Sequence, residues 1–186
     1  MKTTLVIVVA VGALALAAFV YHYHWHLRGA SGGPVAHVRN EFEFTVRAPY
    51  QVVAPLFGPE GERGWAGGHW DPQFLYPQPA QDTQGAVFTI RHGHHHAVWI
   101  NTAFDTAARH YQYAYFIPDV MVVLIDVRFA EADAENTNVN VAYERTALNP
   151  DANEHVKEMG EADRKGGKEW GTSINEYLAK QKAAGR

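Results

Sequence analysis

The spacing of apolar positions changes several times along the chain, and each change marks a different kind of element. Leu5 to Tyr21 is an uncharged apolar run of 17 residues. His37 to Ala48 then alternates, with Phe42, Phe44 and Val46 on one side. That pattern predicts a first strand with one buried face. Pro49 suits the first turn of a helix, and Val52, Val53, Leu56 and Phe57 give that short helix an apolar stripe. Gly58-Pro59 ends it, and a second short helix is predicted near Glu60 to Trp65. The rest of the stretch to Pro79 is dense in Gly, Pro and aromatics and reads as irregular.

From Gly85 the signals are those of strands: Ala86 to Arg91, Ala97 to Thr102 after an interruption at Gly93, and Arg109 to Ile117. Val120 to Phe129 and Thr137 to Thr146 follow. Tyr111, Tyr113 and Tyr115 share one face, as do Val139, Val141 and Tyr143. Short gaps with turn residues describe an antiparallel meander. Pro150 to Lys180 switches to helical spacing, carried by Val156, Met159, Trp170, Ile174, Tyr177 and Leu178. Gly166-Gly167 interrupts it at a helix cost of about 1 kcal/mol each. The pair marks either a kink or a close approach to the sheet, and two shorter helices are the alternative. A sheet with one face to cover and one long amphipathic helix make an α+β, two-layer fold. A strongly curved sheet wrapped round a single helix is not filled by it, and the space left over is a pocket.

The first run lies between two classes. A spanning helix needs about 20 apolar residues, with about 17 as the lower limit, and a signal-peptide core has about 7–15. Tyr21, Tyr23 and Trp25 suit an interfacial belt beyond a spanning helix. The expected organisation is an N-terminal anchor or signal segment over 1–27, a Gly-rich linker over 28–36 and one domain over 37–182. A short N-terminal tail favours placing that domain outside the cytoplasm; secretion after cleavage and a cytoplasmic domain are the alternatives.

Composition narrows the chemistry. The chain has 186 residues and a net charge of -4, so no basic excess points to nucleic acid. It has no cysteine, which excludes disulfides, thiolate metal sites and a thiol nucleophile. Its only serines are Ser31 and Ser173. No nucleophile-elbow, phosphate-loop or dinucleotide motif is present.

The order of elements, with its local wording, resembles the SRPBCC superfamily of START, polyketide cyclase/dehydrase and birch-pollen-allergen-like domains. The resemblance rests on Ala48-Pro49, Leu56 to Ala66 and His69 to Pro77. Gly85 to Thr89, Val98 to Asp105, Val141 to Pro150 and the final helix continue it. It implies a helix-grip fold: a curved antiparallel sheet around a long C-terminal helix, with two short helices after strand 1. It implies no single function, because such folds host carriers, receptors and cyclases.

Candidate chemistry is of two kinds. His92, His94, His95 and His96, and separately His22, His24 and His26, offer imidazoles at chelating spacings. The first group spans an expected turn and the second an interfacial flank, so neither is assigned a metal. The residues expected to line the cavity are Trp65, His69, Trp70, Tyr76, Phe88, Trp99, Asn101, Tyr111, Tyr113, Tyr115 and Trp170. Tyrosine and tryptophan suit an apolar guest because each has a flat body with one polar tip. Glu62, Arg63 and Asp71 read as structural, holding short helices over the cavity mouth. Arg145 and Asp126 read as facing solvent. Glu60 to Pro77 is expected to act as a gate.

The expected function is membrane-tethered binding or transport of a hydrophobic small molecule, such as a lipid, isoprenoid, quinone or polyketide-like compound. No cofactor, catalytic residue or metal is assigned, nucleic acid is not expected as a partner, and oligomeric state is left open. A cyclase or dehydratase using the same cavity, with His69 or Tyr113 as acid or base, is one alternative. A ligand-free interaction scaffold is the other.

Overall fold

The computed structural model describes residues 33–92 and 95–185. The chain divides into two compact units, Met1–Pro34 and Val35–Arg186. The apolar run, the expected anchor and His22, His24 and His26 lie outside the described residues, as does His94. Among the described residues no helix is long and apolar enough to cross a membrane.

The second unit is a seven-stranded antiparallel sheet in the order β1-β7-β6-β5-β4-β3-β2. Its strands are β1 (His37–Val46), β2 (Gln73–Tyr76), β3 (Val87–His92), β4 (His95–Asp105), β5 (His110–Ile117), β6 (Met121–Asp133) and β7 (Asn136–Ala147). After β1 come α1 (Tyr50–Val53), a 3-10 turn (Ala54–Phe57) and α2 (Pro59–Glu62). After β7 come a 3-10 turn (Pro150–Ala152), α3 (Asn153–Asp163) and α4 (Gly166–Ala183). This is the helix-grip arrangement.

Period-2 alternation decides which side chains face inward. Tyr111, Tyr113 and Tyr115 on β5 are all buried, as are Val123, Ile125 and Val127 on β6 and Val139 and Val141 on β7. Ladder pairing aligns these rows, with Tyr113 opposite Ile125 and Val127 opposite Val141.

Three elements differ from the sequence expectation. The second short helix spans Pro59–Glu62, and the chain leaves it before Trp65. The stretch that reads as irregular contains β2, an edge strand paired to β3 alone. The C-terminal helix is two helices, broken at Arg164 and Lys165, of which the 18-residue α4 is the long one.

The glycines of α4 explain how it sits. A Cβ on Gly167 would come 3.0 Å from the Glu43 carbonyl oxygen, and one on Gly171 would come 3.2 Å from Phe44 Cβ. The helix therefore rides directly on β1, at the edge of the sheet. Trp170 lies between these glycines and packs edge-on against Phe42 at 5.5 Å.

One end of the concave side is packed solid. Phe57 meets Phe129 edge-on at 5.0 Å, and Phe129 meets Tyr111 at 5.2 Å. Tyr111 in turn stacks on Phe104 at 4.0 Å.

Replacing Gly167 by valine is expected to destabilise the domain by about 1–3 kcal/mol. Helix propensity alone would give a small gain, so the sign of the change in a urea titration reports the backbone contact.

Candidate functional site

The other end of the concave side is not filled. A cavity of about 410 Å³ lies there, within the range of small-molecule sites. Its walls come from six elements and the loop after α2. Glu62, Trp65, Ala66, His69 and Trp70 descend from α2 and the loop after it, Trp99 from β4, and Tyr115 from β5. Tyr143 and Arg145 come from β7, and Met159, Glu169, Trp170 and Ser173 from α3 and α4.

Of the residues expected to line it, six do: Trp65, His69, Trp70, Trp99, Tyr115 and Trp170. The other five lie elsewhere. Tyr76 is 61% exposed on the edge strand. Phe88 is fully buried, stacked between Phe74 and Trp99. Asn101 is buried with its amide donating to the Thr83 carbonyl at 3.1 Å. Tyr111 belongs to the solid aromatic core. The Tyr113 hydroxyl donates to the Phe57 carbonyl oxygen, which turns it toward the 3-10 turn. The alternation that puts these side chains inside does not say which end of the concave face they occupy.

The loop over the cavity is pinned at several points. Trp65 Nε1 donates to the Leu56 carbonyl at 2.6 Å and Trp70 Nε1 to the Pro59 carbonyl at 2.9 Å. Arg63 donates to Glu60 at 2.9 Å, to Asp71 at 2.6 Å and to the Pro72 carbonyl oxygen. Asp82 accepts from the amides of Glu60 at 2.9 Å and Gly61 at 3.2 Å, at the start of α2. A Cβ on Gly58 would collide with that carboxylate, so glycine there admits the bond. These bonds tie down the stretch expected to act as a gate.

Arg145 corrects the expectation that it faces solvent: it is 3% exposed. It donates through Nε and Nη2 to both carboxylate oxygens of Asp163, at 2.7 Å each, and through Nη1 to the Tyr115 hydroxyl at 2.6 Å. Its guanidinium also lies 4.8 Å over the Tyr143 ring. Burial alone would lower its pKa, but the Asp163 pairing outweighs this and raises it above its ordinary value. Asp126 does sit on the outer face, bonded to His110 at 2.6 Å and Arg128 at 2.9 Å.

Glu62 is the residue that sequence reasoning did not single out as buried. It is 6% exposed and lines the cavity. No hydrogen bond to its carboxyl group occurs among the described residues. Burial pushes its pKa well above the ordinary carboxylate value, and the charge on Asp82 adds to the rise. Both effects favour the protonated form of this carboxyl over the ionised one. His69, by contrast, is exposed at the rim.

No group of three or more His, Cys, Asp or Glu that could hold a metal occurs among the described residues.

Two outcomes follow from this geometry. Asp163→Ala, which strands the buried guanidinium, is expected to cost about 3–5 kcal/mol, whereas the double change Arg145→Met, Asp163→Leu costs much less; urea titration compares them. Glu62 has a raised pKa in the folded state, so the native protein holds a proton that the unfolded chain releases as pH rises, and stability falls there. Glu62→Gln removes that dependence. Its melting temperature is expected to exceed wild type at neutral pH, with the gap closing in the acid range where the unfolded glutamate is also protonated.

No protein-family model matches the sequence, and no curated protein matches it. Solved structures do resemble it. An uncharacterised protein from Rhizobium leguminosarum is similar with a TM-score of 0.55 at 17% identity, over 79% of this chain and 97% of that one. Norcoclaurine synthase from Thalictrum flavum, in complex with dopamine and hydroxybenzaldehyde, is similar with a TM-score of 0.57 at 9% identity, over 78% and 88%. Ara h 8.0201 is similar with a TM-score of 0.51 at 14% identity, over 78% and 99%. These likenesses establish the helix-grip fold.

Proposed function

We propose that this protein binds a small, largely apolar molecule in the cavity between Trp65, Trp99, Tyr115 and Trp170. The observation that carries the reading is the cavity itself: about 410 Å³ walled mainly by aromatic rings, beside the buried apolar core. Leaving such a space empty forfeits contacts that a side chain would otherwise make. A guest of matching shape recovers them, at about 25 cal/mol per Å² of apolar surface removed from water. A fold neighbour described with dopamine and hydroxybenzaldehyde bound supports the idea that this architecture takes small aromatic guests. The apolar run Leu5 to Tyr21 would tether the domain at a bilayer, which would shorten the path of a membrane-derived guest.

One observation favours a second reading, acid-assisted ring closure or dehydration in the same cavity. Burial favours the protonated form of the Glu62 carboxyl, and in that form it can donate a proton to a guest that carries a basic oxygen. His69 and Tyr113 do not serve this reading, since one is exposed and the other is engaged by Phe57.

The binding reading is tested on the full chain with an anilinonaphthalene dye. Binding of about one dye per chain is expected. Ser173→Phe, which projects a ring into the cavity from α4, is expected to weaken it about ten-fold or more without changing the circular dichroism. Dye binding that Ser173→Phe leaves unaltered places the dye on other apolar surface and removes the support for this site.

A further inference from the structure

Building on the reading that the cavity holds a small molecule, we infer that its guest is an organic cation, an ammonium group on an apolar or aromatic body, seated among the cavity's tryptophan and tyrosine rings with Glu62 as its counter-ion. Three features of the lining carry this.

The first is the ring system. Trp65 and Trp170 meet edge-to-face at 5.3 Å, Trp70 and Trp99 at 5.4 Å, and Trp99 stacks on Tyr115 at 4.2 Å. The face of an aromatic ring is the negative end of its quadrupole, and tryptophan attracts a cation most strongly. An aliphatic guest would be served equally well by leucine and valine, of which this lining has none.

The second is charge. Glu62 and Glu169 bring two carboxyl groups to the lining. The lining's one guanidinium, Arg145, is matched by Asp163 in a two-pronged pair and also donates to the Tyr115 hydroxyl. An anionic guest would face the carboxyls and find the guanidinium engaged, whereas a cation meets Glu169 and the Glu62 carboxyl, which ionises as the pair forms.

The third is the unmet bonding capacity of Glu62. It is 6% exposed, lines the cavity, and has no hydrogen-bond partner among the described residues. Tyr113, which lies near it, gives its hydroxyl proton to Phe57. The Glu62 carboxyl is left open toward the cavity, where a guest can replace the water that meets it.

The charge state of Glu62 separates a cation from a neutral guest. A neutral carboxyl donates to a hydroxyl or carbonyl. An ammonium needs the carboxylate, so its binding releases the carboxyl proton to solvent as the ion pair forms. The groups around Glu62 are Asp82 from the loop before β3, Tyr113 on β5, and Tyr143 on β7. Arg145, Asp163, His69 and Glu169 complete the charged and titratable set at the cavity. Burial and Asp82 oppose ionisation of Glu62, so ammonium affinity must rise with pH as that opposition is overcome.

The test uses three probes with one body and different heads: phenethylammonium, phenethyl alcohol and phenylpropanoate. Each is titrated calorimetrically into the full chain at about pH 5.5 and about pH 8, against wild type and Glu62→Gln, with anilinonaphthalene dye in parallel. The ammonium is expected to bind about ten-fold or more tighter than the alcohol at the higher pH, and to tighten as pH rises. Glu62→Gln, a near-isosteric neutral change, is expected to remove that advantage and its pH slope. Equal or tighter binding of the alcohol or the carboxylate to wild type overturns the inference, and this arm does not depend on the variant folding. Dye binding with no probe binding also overturns it and leaves the small-molecule reading standing. Loss of dye binding as well removes both.

Discussion

The structure depends on where α4 meets the sheet. Gly167 and Gly171 let its backbone press onto Glu43 and Phe44 of β1, so the helix lies over the sheet's edge. A bulkier helix face would stand further off and let side chains of its own reach across the concavity. With the helix held close at one margin, the rest of the concave face must be covered by side chains from the sheet and by the short helices. Phe57, Phe104, Tyr111 and Phe129 do so at one end. At the other end the rings of Trp65, Trp99, Tyr115 and Trp170 form walls and leave the space between them open.

Polar groups at that open end are in two conditions. Arg145, Asp163 and Tyr115 satisfy one another, a closed set that joins β7 to α3 and β5. Such a set is costly to break and adds little as a ligand anchor, because its hydrogen bonds are already made. Glu62 is in the opposite condition, buried and unbonded at a cavity wall. The contrast separates a residue that holds the walls together from one placed to meet a guest. The fold by itself does not draw this distinction, since one architecture serves many chemistries; the side chains do.

Much of the architecture was legible in the sequence because period-2 alternation is strong in β1, β5 and β7 and because turn residues separate the strands. β2 was not legible: it is four residues long and bounded by Pro72 and Pro77, so no alternation develops. The break between α3 and α4 was open to two readings, since Gly166-Gly167 fits both a kink and a close approach; the structure has both. Arg145 could have been placed correctly. Counting by twos from Val139, Val141 and Tyr143 reaches it on the inner face, and Asp163 follows Val156 at helical spacing on the buried side of α3. The charge of arginine outweighed its position in the pattern. Glu62 left no comparable signal, because α2 is one turn long and the Asp82 that holds its start and raises the Glu62 pKa lies 20 residues on. Nor could alternation tell Tyr111 and Tyr113, in the solid end, from Tyr115, at the cavity. That division is set by where the 3-10 turn and its Phe57 settle.

The chain has five tryptophans, of which Trp65, Trp70, Trp99 and Trp170 line the cavity while Trp25 lies outside the described residues. Fluorine NMR of the full chain labelled with fluorotryptophan therefore reads the site directly. The account predicts that adding a small aromatic guest shifts the resonances of the four cavity tryptophans and leaves that of Trp25 unmoved. Shifts confined to Trp25, or none at any tryptophan under conditions where the guest binds, would contradict it.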